Sequence, residues 1–206
     1  MPTKLILIRH GETAWNVEQR FQGQGAIPLN ENGKNQADRL GQFFAKKPAG
    51  EQRIYCSDSI RTRQTAEIFN KYLNLPISYD ARLREIDVGQ WQGMNMAEVD
   101  AWDPERRKAF LEDPYTNGCP DGENYTQVAT RGAEVLNEIA QKHPDEKLLI
   151  VSHGALIRHT VKRLIPTAMA DGPILNTSLT ALMYDEANGW QIVCYSLTPH
   201  LLMPQD

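Results

Sequence analysis

The sequence predicts an α/β fold built on a largely parallel sheet with helices on both faces. Three observations carry that prediction. Residues 4–8, 53–56 and 147–151 are short apolar or β-branched runs of a length suited to buried strands. The segments between them repeat their apolar residues at helical spacing. Near the C-terminus, "LTALMYDEANGWQIVCYSL" is two strand-like runs around Asn188-Gly189, a strong hairpin signal that makes the sheet mixed. Strands alternating with helices belong to parallel α/β architecture.

The elements follow in order. After the first strand, Ala37, Leu40, Gly41 and Phe44 form one helical face. Thr62, Thr65, Ala66, Phe69 and Leu73 form a second after the 53–56 strand, and Val128, Gly132, Val135, Leu136 and Ile139 a third. A fourth helix follows His153, with Ile157, Val161 and Leu164 inward, until Pro166 stops it. Residues 90–124, rich in Trp, Pro and Gly, lack a clear period. They are expected to form a cover with short helices over the sheet, inside a single domain of 1–206. The charges there, Asp100 to Asp113 beside Arg106, Arg107 and Lys108, suit a solvated face.

Composition narrows the function. At 206 residues the chain is long enough to bury one sizeable core. A net charge of −4 argues against broad binding to nucleic acid or to anionic membranes. The N-terminal apolar run is too short for a signal peptide or a membrane span. Cys56, Cys119 and Cys194 are odd in number and widely spaced, fitting neither a disulfide framework nor a zinc site, so a cytoplasmic location is expected. "HGE" at 10–12 lacks the Pro-Cys-x-x-Cys partner of zinc deaminases.

The strand ends hold the chemistry. The first run ends in Arg9-His10, the second in Ser57-Asp58 with Arg61 one turn on, and the third in Ser152-His153-Gly154. Ligands of open parallel sheets bind at the carboxyl ends of strands. If these strands are neighbours, two histidines and two arginines meet there. Arginine offers a planar fork matched to phosphate, and the helix opening at Gly154, with Ala155 in its first turn, offers backbone N–H groups to the same anion.

"LIRHGET" followed by Asn16, "RQTAE" behind Arg61, "LREIDVGQWQG" around Glu85 and "VSHG" at His153 resemble, in order, the histidine phosphatase superfamily, which includes cofactor-dependent phosphoglycerate mutases and many phosphomonoesterases. The resemblance runs from residue 4 to about 198. It implies a three-layer α/β/α sandwich, a phosphohistidine intermediate and no metal or other cofactor. It also implies His10 as nucleophile, Glu85 as proton donor, and Arg9, Arg61 and His153 as a phosphate clamp, with Asn16, Gln22 and Gly23 at further phosphate-pocket positions. His153 as a second acid–base group is the alternative to its role in the clamp. Asn124 departs from the family pattern, standing where serine is common.

The chemistry suits these residue types. Phosphoryl transfer spreads negative charge over equatorial oxygens, so catalysis is mostly positioning and electrostatics. An imidazole attacks only when neutral, and Arg9 and Arg61 disfavour the imidazolium of His10. His143, His159 and His200 are expected to be structural. The expectation is a metal-independent hydrolase of a small phosphorylated metabolite, working as monomer or homodimer. Its alternatives are a phosphoglycerate mutase and a non-catalytic phospho-ligand binding module. Gln22 stands where the resembling mutases usually have a small hydroxyl residue. The short "TPHLLMPQD" after the last strand likewise favours the phosphatase.

Overall fold

A computed structural model describes residues 1–168 and 172–204. In chain order the elements begin with β1 (Thr3–Arg9), α1 (Ala14–Val17), α2 (Glu31–Lys46), β2 (Arg53–Cys56), α3 (Ile60–Asn70) and β3 (Ile77–Tyr79). After α4 (Met96–Trp102) and α5 (Pro104–Glu112) come α6 (Tyr125–Lys142), β4 (Lys147–Ser152) and α7 (Gly154–Leu164). The hairpin β5 (Leu179–Asp185) and β6 (Gly189–Leu197) and a final turn, α8 (Pro199–Leu202), complete the chain.

Among the described residues six strands form one mixed sheet in the order β3-β2-β4-β1-β5-β6. β3, β2, β4 and β1 are parallel to one another, and β5 runs antiparallel to both β1 and β6. Alternation along the strands divides the core. Leu5 and Leu7 of β1 and Leu148 and Ile150 of β4 face α6 and α7, packing on Val135, Leu136, Ile139, Ile157 and Val161. Ile8, Leu149 and Val151 face the other way, onto Leu40 and Phe44 of α2 and Ala66 and Phe69 of α3. A strand buried on both faces must be apolar at successive positions, which is why these runs do not alternate with polar residues.

The helical faces expected on α2, α3, α6 and α7 are the buried ones. Two details differ. Leu73 lies beyond α3, which stops at Asn70 because the Asn70 side chain turns the chain by bonding the N–H and C=O of Leu75. The hairpin turns through Glu186–Asn188, three residues capped by Asp185 Oδ1, and Gly189 at φ 66° starts the return strand. The strand without a sequence signal, β3, is only three residues long and mostly exposed at the sheet edge, so its sequence carries no apolar pattern.

Residues 90–124 contain α4 and α5, with the short helices expected. They close over a third cluster, in which Ile86, Val88, Trp91, Val99, Phe110 and Cys119 pack on Val128 and Leu156. Arg107 pairs with Asp100 and is largely buried, while Arg106 and Lys108 are exposed. Asn124 is the N-cap of α6, closing a capping box with Gln127. No helix among the described residues is long and apolar enough to cross a membrane.

Candidate active site

The strand ends that carry the polar residues are neighbours. Arg9 is level with Ser152, and Cys56 with Val151. The ladder runs one step further, with His10 N donating to Ser152 O (3.0 Å) and Ser57 N to Val151 O (2.9 Å). His10, His153 and Ser57 therefore leave the sheet side by side.

His10 is 2% exposed, and its Nδ1 lies 2.7 Å from Gly11 O. A carbonyl only accepts, so the neutral ring carries its hydrogen on Nδ1 and its lone pair on Nε2. Burial first, then the charges of Arg61 and Arg9, hold this imidazole well below its ordinary pKa. The loop behind it is tight: a Cβ on Gly11 would stand 2.5 Å from Gly33 O, so only glycine lets α2 come this close. Gly11 N is held by Thr65 Oγ1 of α3.

His153 is fully buried, its ring 5.3 Å from that of His10 and edge-on to it. Its Nε2 meets Ser57 Oγ at 2.9 Å, and its Nδ1 is buried without a partner. Burial first, then Arg61, His10 and Arg9, keep it neutral at neutral pH.

Arg61 is also fully buried. The first turn of α3 aims it at the 23–25 loop, where Nη2 donates to Gly23 O (2.7 Å) and Nη1 to Gly25 O (2.9 Å). Burial lowers its pKa to about 10, still cationic near pH 7. Gly23 sits at φ 48°, and a Cβ there would be 2.5 Å from Val88 Cγ2. Arg9 is steadied by one bond, Nη1 to Ile174 O at 2.6 Å. Arg63, two residues beyond Arg61 on α3, lies over the Tyr79 ring and lines no part of this site.

Glu85 sits at the N-terminus of α7. Its Oε1 accepts from Ala155 N and Leu156 N, each at 3.1 Å, and Oε2 from Ala155 N at 3.2 Å. The helix start expected to offer N–H groups to an anion thus holds the Glu85 carboxylate, because an acidic side chain complements the positive end of the helix dipole. Asp87 instead closes the adjacent turn by accepting from Gly89 N.

Arg9, His10, Asn16, Gln22, Gly23, Arg61, Glu85 and Ala155 line one cavity of about 230 Å³, with His153 beside His10 but not on the lining. Arg9 Nε, Arg61 Nε and Gln22 Oε1 are buried there without partners. Buried polar atoms are expensive to leave unpaired, so this clustering marks a place shaped for a polar ligand. A larger cleft of about 340 Å³ between α2 and α8 contains none of these groups. Asn16 also acts locally, since its Oδ1 accepts from Thr13 N and Oγ1 and so caps α1.

One contributing group has no signal in the sequence. Asn176 Nδ2 donates to His10 O (2.9 Å) and Asn16 Oδ1 (3.3 Å), and Thr177 N donates to Arg9 O and His10 O. Thr177 holds this position at φ 56°, a conformation that costs a β-branched residue on the order of 1–3 kcal/mol. Its hydroxyl is fixed by His200 Nε2 of α8 at 2.9 Å. His143 bonds Tyr55 Oη, and His159 stacks on Tyr125, so both fill structural places.

The family model described as histidine phosphatase superfamily (branch 1) matches residues 5–198. The chain is 34% identical over 201 residues to a metal-independent phosphoserine phosphatase of Arabidopsis thaliana, covering 97% of this chain and 83% of that protein. It is 33% identical over 205 residues to a probable phosphoglycerate mutase, GpmB, of Proteus mirabilis, covering 96% and 94%. The solved structure of YhfR from Bacillus stearothermophilus superposes with a TM-score of 0.88 at 33% identity, covering 97% and 99%.

Proposed function

The chain belongs to the histidine phosphatase superfamily and is a phosphatase, and on that premise we propose that it hydrolyses phosphomonoesters of small metabolites without a metal, through a phosphohistidine on His10. The observation that carries this reading is the state of His10. Its Nδ1 is tied to Gly11 O, its Nε2 keeps the lone pair, and the buried Arg61 and half-buried Arg9 act on it electrostatically.

Arg9 and Arg61 hold the phosphoryl oxygens, with His153 packed edge-on beside His10. His10 Nε2 attacks phosphorus, the N–P bond forms and the P–O bond to the alcohol breaks. Glu85 takes up the acidic proton of the phosphomonoester monoanion and passes it to the leaving oxygen. Water then attacks the phosphorus, Glu85 takes its proton back, the N–P bond breaks and inorganic phosphate leaves. The positive charges of Arg9 and Arg61, whose Nε atoms are left without protein partners, do the charge neutralisation that a metal ion does in other phosphatases.

The reading is tested by phosphate release from an aryl phosphate after exhaustive chelation. Turnover should persist unchanged. Loss on chelation, restored by one added metal, would overturn the metal-free mechanism. Efficient interconversion of 3- and 2-phosphoglycerate primed by 2,3-bisphosphoglycerate, with little phosphate released, would replace hydrolysis by the mutase reaction.

A further inference from the structure

The cavity is chemically lopsided. Arg9, Arg61, His10 and Glu85, with the polar Asn16 and Gln22, contrast with an apolar wall of Phe21, Ile86, Val88, Phe110, Cys119 and Tyr125 in the same lining. Four of these come from the cover and the segment leading into it, the third apolar cluster. Phe110 meets Trp91 and Tyr125 edge-on at 5.3 Å each, so the wall is a packed surface with fixed rings. Cys119 adds no charge, because burial pushes its thiol up to about 12.

Cations beyond the phosphoryl end are spoken for. Arg20 is the third arginine on the lining, but its Nε donates to Glu18 (2.9 Å) and its Nη1 to Glu98 (2.8 Å) and Gly93 O (2.7 Å). Arg158 is close enough to Tyr125 to act on its phenol electrostatically, yet does not line the cavity. A second anion on the substrate would leave water to face rings and methyl groups, and an unpaired charge in such a place is strongly disfavoured. An apolar group of the same size gains roughly 25 cal/mol for each Å² it takes from water. As to size, a cavity of about 150 Å³ accepts a benzene ring.

We propose that this apolar half is a leaving-group subsite for an uncharged apolar or aromatic alcohol about one ring in size, so that preferred substrates carry a single phosphate and no second anion. The inference rests on the phosphatase reading and adds the class of alcohol. It sets this chain apart from a relative named for phosphoserine, whose substrate bears a carboxylate and an ammonium group beside the ester.

The test compares kcat/KM for benzyl phosphate and 4-carboxybenzyl phosphate, two alkyl esters that differ only in a charge remote from the reacting oxygen. Phosphoserine and 3-phosphoglycerate complete the series. Benzyl phosphate should be preferred over its carboxylated partner by at least about tenfold, equivalent to about 1.4 kcal/mol, and over the two natural anions by more. Phe21→Lys, at a partly exposed wall position, should shrink the first ratio by supplying the missing cation, with a thermal melt to show that the variant folds. A first ratio near one, or phosphoserine turned over as efficiently as benzyl phosphate, would overturn the subsite while leaving the phosphatase reading in place. Failure of every ester to release phosphate would overturn both.

Discussion

The two halves of the cavity are built by different means. The phosphoryl half hangs on the carboxyl ends of β1, β2 and β4, where backbone ladders fix Arg9, His10, Ser57 and His153 before any side chain is considered. The alcohol half is assembled from Phe21 and from loops and short helices between Ile86 and Tyr125, held by apolar packing and by loop bonds such as Phe21 N to Met94 O and Glu123 N to Asp87 O. The first has polar groups fastened on one edge and turned to the cavity on the other. The second has no fixed charge. Strand ends give positional accuracy suited to transition-state charge, and a packed cover gives a surface whose shape and polarity can vary without disturbing the chemistry.

Breaking the polar half should produce the largest effect. Arg61→Lys retains a charge but loses both bonds to the 23–25 loop and the planar fork. Removing one preorganised donor costs on the order of 10²–10³ in rate, and kcat/KM for an aryl phosphate should fall by that amount. A variant within about threefold of wild type would place Arg61 outside the transition state, against that expectation.

A middling effect should come from the loop that steadies the nucleophile without touching substrate chemistry directly. Asn176→Leu removes the bonds to His10 O and Asn16 Oδ1 and leaves the charges in place. We expect kcat to fall about tenfold, the equivalent of roughly one lost hydrogen bond, with KM nearly unchanged. A rise in KM at constant kcat would assign Asn176 to substrate binding instead.

The smallest expected effect is an absence of change. An ordinary histidine titrates at about 6.5 and is about nine-tenths protonated one unit lower. His10 and His153 are held well below that value by burial and by the arginines, so neither is half-protonated at that ordinary pH. Imidazole ¹⁵N shifts followed from pH 7.5 downward should show no midpoint near 6.5 for either ring. A midpoint near 6.5 for His10 would mean that water reaches the polar half far more than its 2% exposure implies.

Legibility in the sequence follows the same division. The strands, the faces of α2, α3, α6 and α7 and the residues at the strand ends are readable because each depends on local period and on one topological rule for parallel sheets. The edge strand β3 is not, being three residues long with little buried surface. The helix start at Gly154 is legible as an anion site, but not that Glu85, almost seventy residues earlier, supplies a carboxylate to it. Thr177 is hidden because nothing in "LNTS" foretells a left-handed threonine beneath the nucleophile. The apolar wall is hidden because Phe21, Val88, Phe110 and Tyr125 come from segments with no shared period, and only packing brings them together.

If the polar half works as its geometry implies, phosphorus passes through His10 on its way to water. The direct check is a rapid quench in base of the wild-type protein with ³²P-labelled phosphomonoester, followed by peptide mapping. Label that survives alkali, is lost in acid and maps to His10 is the expected result, with none on a His10→Asn variant whose melt matches wild type. Label on another residue, or undiminished turnover by the His10→Asn protein, would contradict a phosphohistidine at this position.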